Sequence, residues 1–399
     1  MRKQFAGAVA VLGIFGGSLY VSSLPASGQA GPPAAGPAST VPALVITAYG
    51  GGPATSYVSP RTPWGEPDLQ GVWSSDDATM PMQRPANFGD RLYLNDEEWA
   101  ARQKQIQQGI VNAENAVSTF RNDFATRAFR QTSLIVDPPS GQRPAILPDA
   151  QKRAAPRDRG TFGDGPFETT EDFTLYDRCI TRGIVGSTLR VIYGNGNRIV
   201  QAPGVVAITY EMIHDTRVIY TDGRPHINTG IRQYLGSTRG RWEGDVLVAE
   251  TTNLTDQTSI GLNGNGLRHS ARMKLTEMWK RVADNIVQYQ VTIDDPVTYA
   301  RPFTMSMPLT PLSGDVILPY ECHEGNLAIE NSLSAERAED RALAEDLAKG
   351  IKRERRRVQD GAGGGGGGRG RGAGAGAGAG AGRGGPPPAP APADGDQER

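Results

Sequence analysis

RIVQAPGVVAITYEMIHDTRVIYTDG, residues 198–223, decides the fold. β-Branched and aromatic residues fill three short runs, Arg198–Gln201, Val205–Ile213 and Thr216–Tyr220. Proline–glycine at 203–204 and aspartate–glycine at 222–223 punctuate them. Side chains two apart on a strand share a face, so such runs read as strands, and connections this short make neighbours antiparallel. The pattern continues through Ile231–Leu235, Val246–Asn253, His269–Lys280, Ile286–Ile293 and Val316–Glu321, with turn residues at 239–240, 243–245, 283–284 and 294–296. Upstream, Leu69–Trp73 reads as a short first strand. A meander of this length curls or closes, because closure removes exposed edges. The expected fold class is therefore mainly β, an antiparallel meander forming a barrel or strongly curved sheet with peripheral helices.

Two helices flank the strands. Asp96 to about Phe120 follows Asn95, and Glu98 completes a capping-box pattern. Its apolar stripe, Trp99, Ile106, Ile110, Ala113 and Val117, is narrow, so the helix belongs on the outside of the fold. A second helix is expected over 335–359, charged on most of its surface and ending in the basic run Lys352–Arg357.

The chain ends are written in a different composition. Arg2 and Lys3 precede an apolar run to about Leu24, and Gly28 and Ala30 suit a cleavage site, so residues 1–30 read as a signal peptide. Residues 31–60 are a Pro/Gly/Ala/Ser linker. The folded domain is expected over 61–334, with the first helix inserted near 96–120. From 360 to 399 a Gly/Ala/Arg/Pro tail has no side chains large enough to offset the entropy of ordering it. The protein is thus expected to be exported, periplasmic or extracellular, with no stable membrane insertion after cleavage.

A net charge of −1 over 399 residues leaves no general bias toward nucleic acid. There is no GxSxG nucleophile elbow and no GxxxxGK[ST] phosphate loop, and the glycines at 194–197 and 263–266 lack a dinucleotide site's strand-then-helix setting.

Several motifs in combination resemble a widespread, functionally unassigned family of exported proteins of soil and environmental bacteria. They are PWGEPDLQGVW (63–73), QAPGVVAITYEMIHDTRVIYTDGRPH (201–226), GRWEGDVLVAETTN (240–253), TIDDPVTYARPFT (292–304) and YECHEGN (320–326). The resemblance implies an architecture and export, and no activity. Gly71–Val72–Trp73 is also similar to the Gly-x-Trp opening of lipocalin-like barrels, where the tryptophan closes one barrel end.

The two cysteines, Cys179 and Cys322, are expected to pair in an oxidising compartment, which the chain-entropy model values at roughly 5 kcal/mol for so long a loop. The four histidines, His214, His226, His269 and His323, all lie in the strand-rich body beside charged or turn residues. Alternation in the run from His269 places His269 and Glu277 on the inward face, where they need partners. Adjacent Cys322 and His323 point to opposite faces of an extended chain, while Glu321 shares the face of His323.

Three functional readings stand open beside a purely structural one. The first is capture of a small apolar or aromatic molecule in a histidine-lined pocket, with Glu211, Asp215, Arg217, His226, Arg232, Glu277 and Glu321 as binding residues and Arg217 or Arg232 as anion anchors. The second is an enzyme in which His214, His269 and His323 perform acid–base chemistry, or hold a divalent metal with carboxylates from different strands. The third is a cell-envelope interaction module using the basic helix and tail.

Overall fold

Along residues 197–210 and 216–219, burial alternates as the sequence pattern demands. Asn197, Ile199, Gln201, Val206, Ile208, Tyr210, Arg217 and Ile219 are buried, and the residues between them within these two stretches are exposed or half-buried. The computed structural model describes residues 43–45, 57–114, 125–154, 165–191, 193–261, 266–312, 314 and 316–355, all within the unit Val41–Arg399. The expected signal peptide, nearly all of the linker, the end of the first helix and the Gly/Ala/Arg/Pro tail lie outside the described residues.

In chain order the elements are β1 (Gly71–Ser74), α1 (Asp96–Glu114), β2 (Ile135–Asp137), α2 (Pro148–Ala154) and α3 (Ile184–Thr188). Next come β3 (Gly196–Ala202), β4 (Val205–Tyr210), β5 (Thr216–Tyr220), β6 (Ser237–Glu243), β7 (Val246–Thr252), β8 (Ser259–Ile260) and β9 (Leu267–Arg268). The last are β10 (Lys274–Ala283), β11 (Ile286–Asp294), β12 (Phe303–Pro311) and α4 (Ala328–Ala348).

Nine strands close a ring in the order β1-β3-β4-β5-β6-β7-β10-β11-β12 and back to β1, while β2 adds to the edge of β12. The protein is a mainly β closed barrel with few, peripheral helices. Tight hairpins join successive strands: Ala202 faces Val205 across Pro203–Gly204, and Glu243 faces Val246 across Gly244–Asp245. Gly204 and Gly244 take φ of +78° and +60°, a conformation open to glycine without steric penalty. The exception to the antiparallel meander is β5–β6, which run parallel and register at a single pair, Tyr220 with Arg239. The long excursion 221–236 brings the chain back to the same end of the barrel, so β6 starts in the direction of β5.

The strand assignments need five corrections. Ile231–Leu235 forms no strand, only an isolated bridge between Gln233 and Leu254. Val316–Glu321 runs beside the barrel without ladder pairing. β10 begins at Lys274, five residues after the expected start at His269. Conversely, β6 and β12 are strands that the sequence disguises, β6 by its charges and β12 by its prolines. Pro308 is accommodated because Ser306 N and Leu312 N donate to Leu134 and Val72 on one edge of β12. By parity the missing N–H of Pro308 would have faced the same edge, where the partner changes from β2 to β1.

Inward faces of β10, β11 and β12 stack Leu275, Trp279, Tyr289, Val291, Phe303 and Met305 in the main core, with β4 contributing Ile208 and Tyr210. Trp73, on β1, is 3% exposed, donates Nε1–H to Leu69 O at 2.9 Å and lies under the Arg281 guanidinium. Outside the barrel, α1 carries its capping box: Asn95 Oδ1 accepts from Glu98 N, and Asn95 N donates to Glu98 Oε2. Arg102 anchors the helix by donating to the carbonyls of Phe129 and Gln131. α4 starts seven residues before the expected helix and stops at Ala348, and Leu333 seats it against Phe167 and Phe173. The described part of the basic run turns back: Arg353 pairs with Glu339 and Asp346, and Arg355 with Glu336 and Asp340. Cys179 and Cys322 form the disulfide, closing a separation of 143 residues.

Candidate functional site

The barrel interior is filled by an ion-pair cluster. Arg217 projects inward from β5 and Glu277 from β10, and they meet in a bidentate pair at 2.6 and 2.7 Å. Tyr289 Oη donates to Glu277 Oε1 at 2.9 Å, and the Trp279 ring lies 5.2 Å from the guanidinium. Burial alone lowers the tendency of Arg217 to hold its proton, but the Glu277 carboxylate outweighs this and raises its pKa. Tyr289 is pushed well above the phenol range by burial and then by the neighbouring carboxylate. Arg217 and Glu277 therefore satisfy each other, and Arg217 is not a free anion anchor. Arg217 Nε alone of this cluster is buried and makes no hydrogen bond among the described residues.

β5 and β6 register only at Tyr220–Arg239, and the chain segments that precede this pair stand apart. A cleft of about 310 Å³ opens there, walled by β5 and by the chain from Gln233 to Arg239. Val218, Ile227 and Leu235 supply apolar surface, Thr216, Gln233 and Ser237 polar groups, and Arg217 reaches it from the barrel wall. His226 stands beside the cleft with Nδ1 3.3 Å from Ser237 Oγ. Tyr220 is flanked by two guanidinium groups, Arg224 at 3.9 Å and Arg239 at 5.3 Å from its ring centre. Arg239 donates to the carbonyls of Pro225 and Thr238 and makes no ion pair among the described residues. Arg232 donates to the carbonyls of Leu254 and Ala271 and is not part of the wall.

A second cavity, of about 150 Å³, is lined by Arg153, Asp256, Arg268, His269, Ser270 and Thr298 among others. His269 is 5% exposed, but it precedes β10, so strand alternation does not set its direction. Its Nε2 lies 2.7 Å from Thr258 Oγ1 and its Nδ1 3.1 Å from the Ser270 carbonyl. A carbonyl can only accept, so Nδ1 carries the proton and Nε2 accepts from Thr258. Burial lowers the pKa of His269, against the opposing influence of the Ser270 carbonyl and Asp295. Asp295 in turn accepts from Ser270 N and Oγ.

The remaining expected site residues serve the disulfide-pinned segment instead. Glu211 Oε2 accepts from Gly196 N and Oε1 from Leu318 N. His214, at the left-handed φ of +55°, accepts from Tyr320 N at Nε2, and Asp215 accepts from Thr181 Oγ1. Burial raises the Asp215 pKa. Beyond them, Tyr176 and Tyr320 meet hydroxyl to hydroxyl at 3.0 Å, over a buried Arg182 whose pKa burial pulls to about 10. Glu321 and His323 are exposed, and 322–325 form a turn, so the expected strand that would align their side chains is not there. The four histidines have separate neighbourhoods and share no hydrogen-bond partner. Among the described residues, no group of three His, Cys, Asp or Glu side chains is placed to hold a metal ion.

Sequence reasoning missed Tyr220, Arg239 and Thr258. Only the parallel crossing of β5 and β6 brings the first two together, and no motif announces a crossing.

Fold and geometry together define a closed, disulfide-bonded β-barrel with a filled interior and a cleft in its wall. Among the described residues no helix is long and apolar enough to cross a membrane. Comparison with family models, with curated proteins and with solved structures finds no match.

Proposed function

We propose that this is an exported protein that binds a small organic molecule in the cleft between β5 and β6. The observation that carries the reading is the cleft itself. Its volume of about 310 Å³ falls within the roughly 300–1,000 Å³ of small-molecule sites, and its wall mixes apolar surface with a few polar groups. The expected pocket thus moves from the barrel lumen, which side chains occupy, to the wall. Of the binding residues read from the sequence, Arg217 lines this cleft and His226 bonds to its wall. Export rests on the reading of residues 1–30, and the disulfide suits an oxidising compartment.

Thermal unfolding of the full chain with a panel of small aromatic and aliphatic compounds tests the binding. Stabilising compounds are expected to lose their effect in Ile227→Trp, which fills the cleft, while that variant alone unfolds cooperatively. Undiminished stabilisation in Ile227→Trp refutes the location. Fractionation of cells expressing the full chain tests export, with retention of an unprocessed chain in the cytoplasm as the refuting result.

A second reading, acid–base chemistry, draws on the Thr258–His269 hydrogen bond. A hydroxyl held by an imidazole whose tautomer is set by a third group is the arrangement that activates a nucleophile. Loss of any hydrolytic activity in both Thr258→Val and His269→Gln, with folding retained, would support it over simple binding.

A further inference from the structure

We propose that the β5–β6 cleft selects small organic anions, with Arg239 as the anchor of the charged end. This rests on the binding reading above and adds the ligand's charge. Two cations and no carboxylate line the cleft. Arg217 is neutralised from behind by Glu277, which leaves Arg239 as the cation of the wall that makes no ion pair among the described residues. Arg239 is also held in place. Its Nε donates to Pro225 O at 2.7 Å, Nη1 donates to Thr238 O at 2.7 Å, and its guanidinium carbon lies 5.3 Å from the centre of the Tyr220 ring. A guanidinium already fixed by carbonyls and an aromatic face loses little freedom on taking up a carboxylate.

The chemistry of the anchor agrees, since a guanidinium offers donors and no acceptor and so favours a ligand end rich in acceptors. Val218, Ile227 and Leu235, which line the same cleft, suit an apolar or aromatic body. The ligand class is therefore a small carboxylate-bearing molecule with a hydrophobic group, its acid at Arg239 and its body against Ile227 and Leu235.

Calorimetric titration of the full chain with benzoate, benzamide and benzylamine tests this. Benzoate is expected to bind at least about tenfold more tightly than benzamide, benzylamine not at all, and benzoate binding to weaken with added salt. Arg239→Gln should erase the benzoate advantage and leave benzamide binding unchanged, whereas Arg239→Lys retains part of it. Thermal unfolding of both variants confirms that the seam is intact. Equal binding of benzoate and benzamide, both blocked by Ile227→Trp, overturns the anion preference and leaves the cleft as a binding site. An undiminished benzoate advantage in a folded Arg239→Gln protein overturns Arg239 as anchor. No binding of any probe to the wild-type chain at millimolar concentration overturns both the anion preference and the cleft reading.

Discussion

Removing the Arg217 guanidinium is the sharpest perturbation this barrel offers. Arg217 is 4% exposed and Glu277 fully buried, and each holds the other through two short hydrogen bonds. Arg217→Met keeps the aliphatic bulk and leaves the Glu277 carboxylate buried with only Tyr289 Oη as a partner. Breaking one side of a buried pair destabilises by about 3–5 kcal/mol, or roughly 10 °C in a chain of this size. The pair as a whole contributes much less, since an apolar replacement of both partners removes the desolvation penalty along with the attraction. Arg217→Met/Glu277→Leu is accordingly expected to recover most of the loss, short of about 1–3 kcal/mol for the stranded Tyr289 hydroxyl. Adding Tyr289→Phe should recover that remainder. Urea unfolding followed by tryptophan fluorescence, with Trp279 lying over the pair, reads the series directly. If Arg217→Met alone stays within about 0.5 kcal/mol of wild type, water reaches the pair and the sealed interior is wrong.

Three further outcomes are expected. Gly240→Val should destabilise by about 1–3 kcal/mol in urea, since a Cβ at Gly240 would lie 2.6 Å from Ile219 Cγ2 and force β6 from β5; a neutral result would show the seam to be loose. Cys179→Ser/Cys322→Ser should lose about 2–5 kcal/mol, most visibly as protease cleavage in the segment 316–326, and unchanged protection would show that Glu211 and His214 suffice to hold it. The depressed pKa of His269 makes stability depend on pH: below about 6.5 the unfolded imidazole takes up a proton that the folded one refuses, so stability is full above that pH and falls as the solution is acidified toward the folded pKa. His269→Gln should flatten that slope, and an NMR titration of wild type should show the ring taking up its proton at lower pH than an exposed histidine, with Nδ1 protonated in the neutral form.

What could be read without coordinates was local and periodic. Alternation of apolar residues made β3, β4, β5, β7 and β11 legible, and Asn95 with Glu98 marked the start of α1. That Glu277 would face inward and need partners followed from strand parity and the cost of burying polar groups, and the pairing of Cys179 with Cys322 from cysteine count and expected export. Where local signals conflict with tertiary need, the reading failed. β12 carries prolines that are harmless only because β2 and β1 leave a gap beside Pro308, and β6 carries charges that are harmless because its flank is exposed. Val316–Glu321 has strand composition but pairs with no strand among the described residues, and the disulfide and His214 hold it as an extended strap.

The sequence by itself determined the class of fold, the run of strands and the residues that would be buried, because side-chain alternation and turn chemistry act over a few positions. Only the tertiary structure decided where the cleft lies. Arg217 and Glu277 are 60 residues apart in the chain and neutralise each other inside the barrel. Tyr220 and Arg239 meet because β5 and β6 cross in parallel at that one pair. Both depend on how the ring closes, which no short stretch of this chain encodes.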